Sequence, residues 1–200
     1  MAYPTVSGPY GLEPINLVGG QVFAGQTRLF PIASGSTTAI YYGDVVALNT
    51  SGTLDKVATT ATAANAIGVF LGCTYTSPVT NQKLNAQYYP GAVTASDIQA
   101  YVQDDYDQLY KVAVVSSGTT IGGLTQAAVG QNVSLVQNAG STITGDSKVA
   151  VLNSTGAATS LPFRVVAGIP ETVNASGSYT EVVVKFNFGI HTYTNPAAVA

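Results

Sequence analysis

Apolar and polar positions alternate most clearly near the end of the chain. In residues 181–188, Val182, Val184, Phe186 and Phe188 fall on one side of an extended backbone. Glu181, Val183, Lys185 and Asn187 fall on the other. That period of two predicts a strand over 179–188. The same reading predicts strands over 41–48 and 53–58, joined by the turn cluster Asn49-Thr50-Ser51-Gly52. Further strands are expected at 66–71, 97–103, 109–115, 131–137, 148–152 and 164–169. The run 66–71 is apolar almost throughout, whereas 131–137 alternates. Residues 125–129 could make one helical turn with Thr125 as its N-cap. No longer stretch carries a helical period. Short strands separated by Asn, Ser and Gly turns indicate an all-β fold, a compact barrel or sandwich of antiparallel strands with little helix.

Residues 1–36 break the pattern. Pro4, Pro9, Pro14 and Pro31, with six glycines, punctuate the segment too often for a helix or a long strand. Its apolar residues, Tyr3, Val6, Tyr10, Leu12, Ile15, Leu17, Val18, Val22, Phe23, Leu29, Phe30 and Ile32, are too many to leave wet at ~25 cal/mol per Å². The segment therefore reads as an extended arm lying in a groove, of its own domain or of a neighbouring subunit. The division expected is an arm over 1–36, a β domain over 37–190 and a tail over 191–200. Residues 43–52 echo residues 145–156, each followed by a short Ala/Gly-containing apolar strand, so the domain could hold two related lobes.

Composition narrows the function more than the fold. In 200 residues there are one histidine, one cysteine and no tryptophan, and 8% of residues are charged. Catalysis at neutral pH calls for titratable groups held together, and this chain has few to assemble. His191 and Cys73 stand in no nucleophile motif, and an enzyme using His191 with Asp104 or Asp107 is the weakest reading. The run Asp104-Asp105-Tyr106-Asp107 lacks the spacing of a calcium loop and reads as a solvated turn. Neither a metal nor another cofactor is expected. Cys73 alone makes no intrachain disulfide. The seven basic residues are scattered singly against ten acidic ones, so direct nucleic-acid binding is not expected. No apolar run approaches the ~20 residues of a membrane helix, and residues 1–14 carry no secretory signal pattern. The pairs Tyr41-Tyr42 and Tyr88-Tyr89 among twelve tyrosines suit wet interfaces.

The opening from Met1 to Gln21 resembles the start of tailed-phage structural proteins common among marine phages. So do Gly43-Asp44-Val45-Val46 followed by 67–72, and the ending Val184 to Tyr193. The pairing of Gly43-Asp44-Val45-Val46 with Ile67-Gly68-Val69-Phe70 also resembles the small β-rich capsid decoration (cement) proteins of lambda type. The resemblance implies a β-tulip-like barrel and a non-enzymatic virion protein, made in the host cytoplasm. Such a protein binds the major capsid protein lattice on the capsid exterior, typically as a homotrimer, through an extended N-terminal arm. The shell contacts expected here are Tyr3, Pro4, Val6, Pro9, Tyr10, Leu12 and Ile15, and deleting residues 1–16 should abolish head binding while leaving the β core folded. The alternatives are a tail-tube component forming hexameric rings and a virion-surface adhesin binding glycans through its tyrosines.

Overall fold

The computed structural model describes residues 6–57 and 66–187. In chain order the strands are β1 (Glu13–Leu17), β2 (Arg28–Pro31), β3 (Val45–Leu48), β4 (Leu54–Lys56), β5 (Ala66–Thr76), β6 (Lys83–Ala86) and β7 (Gln99–Gln103). There follow β8 (Gln108–Ser117), β9 (Thr120–Ile121), β10 (Asn132–Val136), β11 (Ala150–Gly156), β12 (Phe163–Gly168) and β13 (Glu181–Phe186). Helical geometry among the described residues is limited to the 3-10 turns Gln126–Ala128 and Pro170–Thr172. Thr125 does precede the first of these, but its side chain makes no capping bond.

Strands β8, β11, β10, β12 and β13 close into a barrel, because β8 pairs with β11 on one side and with β13 on the other. The β8–β11 contact is parallel (Val114 opposite Val151). The predicted alternation in the last strand holds: Val182, Val184 and Phe186 face the barrel core. There the Phe186 ring meets Tyr110 edge-on at 5.5 Å and Phe163 at 4.7 Å between centroids.

The second sheet runs β2-β7-β5-β3-β4, with β6 on the far half of β5. One face, carrying Val45, Ala47, Ala66 and Val69, joins the barrel core. The other carries Val46, Ile67, Phe70, Cys73 and Val102 and is covered by loops bearing Ile32, Ile40, Tyr89 and Ile98. A strand buried on both faces reads as a continuous apolar run, which accounts for residues 66–71. Gly68 lies so close to β7 that an added Cβ would stand 2.1 Å from the Gln103 carbonyl oxygen.

Two expectations change. The strand expected over 41–48 begins only at Val45, because Gly43 (φ +87) turns the chain and its carbonyl receives the Leu12 amide. The echoed segments are not equivalent either. β3 folds back through residues 49–52 onto β4, whereas β10 separates β11 from β12. They meet instead, through a parallel bridge between Tyr42 and Asp146.

Residues 6–36 lie on their own domain. β1 pairs with β8, sharing one edge of it with β11, and β2 pairs with β7. Residues 1–5 and 191–200 lie outside the described residues.

Candidate contact surface

The Gly43-Asp44 pair forms a buried knot. Asp44 is fully buried, and its carboxylate accepts from the Tyr41 amide (2.9 Å), the Ser147 hydroxyl (2.6 Å) and the Lys56 ammonium (2.9 Å). Gly11 donates to the Val149 carbonyl and Leu12 to the Gly43 carbonyl at the same place. A buried carboxylate requires this many partners to offset its lost hydration. All of them come from the chain itself, so the knot ties the N-terminal segment, the second sheet and the barrel together.

The expected shell-contact residues divide. Tyr3 and Pro4 lie outside the described residues. Val6 and Ile15 are half-buried, and Pro9 is buried. Leu12 has no exposed surface and packs in the barrel core. The Tyr10 hydroxyl donates to Glu181 Oε1. Lys111 pairs with Glu13 at 3.0 Å and with Glu181 at 3.8 Å, and sits 5.2 Å from the centre of the Tyr10 ring. Burial, reinforced by the Glu181 carboxylate, pushes the Tyr10 phenol well above its ordinary range. Tyr10 and Leu12 therefore hold their own domain, and removing residues 1–16 would strip β1 from β8 and Leu12 from the core.

The other candidate groups are also held internally. Asp104 pairs with Arg28 (3.2 Å) and Asp107 with Lys185 (3.0 Å), so the acidic turn is laced to β2 and β13. Among the described residues no three His, Cys, Asp or Glu side chains gather as a metal site. His191 lies outside the described residues. The Cys73 thiol is buried and faces the Tyr88 carbonyl at 3.7 Å; burial pushes its pKa up to about 12, which suppresses the reactive thiolate. Of the paired tyrosines, Tyr41 stacks on Tyr88 at 5.4 Å and Tyr89 is fully buried.

The exposed large apolar side chains among the described residues are Val18, Val22, Leu29, Val79, Leu84, Tyr106, Ile143 and Val166. Val18, Val22 and Leu29 are 54%, 77% and 53% exposed, and Tyr106 is 51% exposed. Residues 17–22 form a tight hairpin turn, with the Leu17 amide on the Gln21 carbonyl and Asn16 bridged to Val22. The Val18 amide donates to the Asp107 carbonyl, and Arg28 reaches Asp104. The 17–22 turn thus lies against the 104–107 turn and brings Val18 and Val22 beside it, whereas Leu29 alternates to the face of β2 opposite the Arg28 side chain. Sequence reasoning placed Val18, Val22 and Leu29 in the arm but did not single them out. Their one signal was apolar character in a turn-rich stretch.

No helix among the described residues is long and apolar enough to cross a membrane. Comparison with protein-family models, curated proteins and solved structures finds no match to this chain.

Proposed function

We propose that this chain is a non-enzymatic virion protein that decorates the outer surface of a tailed-phage head, binding the major capsid protein lattice as a homotrimer. The observation that carries the reading is the placement of the exposed Val18, Val22 and Tyr106 at one turn. Isolated apolar residues on a surface carry no message, but a group of them rimmed by charged side chains marks a protein contact. Asp104–Arg28 and Asp107–Lys185 supply that rim. A β scaffold of this kind, bound across neighbouring subunits, would add to the stability of a shell by mass action.

The test has two parts. Counting this chain against the major capsid protein in purified particles should give a ratio near one to one. A few dozen copies per particle would point to the tail or to a vertex adhesin, and absence from particles would sink the virion reading. Val22→Asp places a charge on the most exposed of these side chains. It should weaken binding to expanded heads by at least about tenfold, the scale expected when a contact residue is lost, with an unchanged circular-dichroism melt. Undiminished binding would remove the 18–29 segment from the interface.

A further inference from the structure

A second site lies at the other end of β7. The 77–82 turn and the 91–97 loop bound an open cleft of about 410 Å³, within the range of ~300–1,000 Å³ typical of small-molecule sites. Its lining is mainly polar: Thr76, Ser77, Asn81, Thr94, Ser96 and Asp97, with Pro78 and Ala95 as the apolar parts.

The walls are fixed in advance. The Asp97 carboxylate accepts from the Thr76 amide (2.9 Å) and hydroxyl (2.8 Å), and Lys83 stands 3.6 Å away. The Thr76 bonds, helped by Lys83, hold the Asp97 carboxyl below its usual range and keep it an acceptor. The facing turn is closed by the Ser77 amide on the Gln82 carbonyl and the Asn81 amide on the Ser77 carbonyl, each at 2.9 Å. Among the described residues, Asn81 (φ 55) and Ala92 (φ 54) are the non-glycine residues with positive φ. One sits in each loop. A non-glycine residue holds that conformation only where its surroundings over-determine it. Here the Ala92 amide is clamped to the Ser36 carbonyl at 2.6 Å.

Charge and geometry select the ligand class. Asp97 is the one charged residue of the lining, and Lys83 beside it at 3.6 Å offsets its charge, so neither sign is favoured. A neutral ring bearing hydroxyls offers donors and acceptors on successive carbons, matching the carboxylate, amide and hydroxyls of the walls. Its C–H face suits Pro78 and Ala95. We propose that this cleft binds a neutral saccharide, with Asp97, Asn81 and Ser96 hydrogen-bonding its hydroxyls. β7 and the residues beside it separate Asp97 from Asp104 by seven positions, roughly 20 Å of extended chain. A protein held through the 104–107 end would turn this cleft outward. The saccharide site itself stands or falls independently of head binding.

The test is a titration of the ¹⁵N-labelled full chain, free in solution, with D-glucose, D-galactose, D-mannose and N-acetyl-D-glucosamine. At least one sugar should shift the amides of Thr76, Asn81, Lys83, Ser96 and Asp97 saturably, with a midpoint of ~1 mM, ordinary for a single weak site. Asp97→Asn and Ser96→Ala should each weaken that response at least tenfold. If Asp97→Asn does not fold, Ser96→Ala decides. The proposal is overturned if none of the four sugars moves these amides up to about 100 mM, if glycerol moves them equally, or if the response survives in the folded variants.

Discussion

The barrel and the second sheet are made of the same residue types and solve the strand-edge problem differently. In the barrel every strand of the ring has two neighbours, so no backbone edge is left open. The second sheet stays open at β2, β4 and β6. It keeps those strands to three or four residues and puts Lys83 and Lys56 on two of them. Its outer face is covered by loops rather than strands, held through paired bonds such as Ile40 and Tyr89 exchanging amides and carbonyls at 3.0 and 2.8 Å. The barrel thus gets by topology what the sheet gets by length, charge and loop bonding. The two are not independent, because Val45, Ala47 and Val69 of the sheet sit in the same cluster as Val112 and Val184 of the barrel.

Breaking each core in turn tests that linkage. Phe163 in the barrel and Phe70 under the outer face of the sheet are both fully buried. Truncation of either to alanine should cost about 3–5 kcal/mol, the range for a buried aromatic. The shared cluster predicts one cooperative unit, so both variants should lower the midpoint of a single urea transition without changing its slope. Far-ultraviolet circular dichroism and tyrosine fluorescence report it. A separate early transition in Phe70→Ala would mean that the sheet opens without the barrel.

Cys73 sharpens the comparison because it lies in the outer-face cluster only. In the native protein at neutral pH a thiol reagent should label it only slowly. The slow labelling rate should rise more in Phe70→Ala than in Phe163→Ala if the sheet has its own opening mode, and equally if it has none. The pH dependence has a definite sign. Burial raises the folded thiol from an ordinary 9.0 to about 12, so the fold favours the neutral form. That contribution is complete below pH 9 and drains as pH rises towards 12. Tyr10 and Tyr110, both raised chiefly by burial, drain in the same direction. Alkaline melts should therefore show falling stability, with a shallower fall in Cys73→Ala, and an equal fall would assign the effect to the tyrosines.

How far the sequence reaches is visible in individual residues. β13 was legible because one of its faces is buried and alternation marks it, and the start of β5 because both are. β6 was not: Lys83-Leu84-Asn85-Ala86 is exposed apart from its last residue and exists because β5 outruns β3 and Cys73 to Thr76 need a partner. Gly43 looked like a strand residue, since only Gly11 and Leu12, brought near by folding, make its turn necessary. The sequence reads Tyr10 and Leu12 as shell contacts, but a side chain in a turn-rich arm does not say whose surface it covers. The partner of Tyr10 is Glu181, 171 positions away. The saccharide cleft was invisible for a similar reason, as its polar residues converge only when β5 pairs with β7.

The smallest effect concerns the edge of β2. Ile32 donates its amide to the Ile98 carbonyl, so by antiparallel alternation Phe30 and Arg28 also point towards β7, while Leu29 and Pro31 point outward. Pro31 therefore stands where an amide would be free, and its ring withholds one donor from any incoming strand. Pro31→Thr returns that donor beside the exposed Leu29. Folding stability should change by less than ~1 kcal/mol, the usual scale of a proline exchange. Sedimentation velocity should instead reveal concentration-dependent species larger than those of the parent chain. If none form, the shortness of β2 alone guards the edge, and the contrast with the closed barrel rests on strand length rather than on proline.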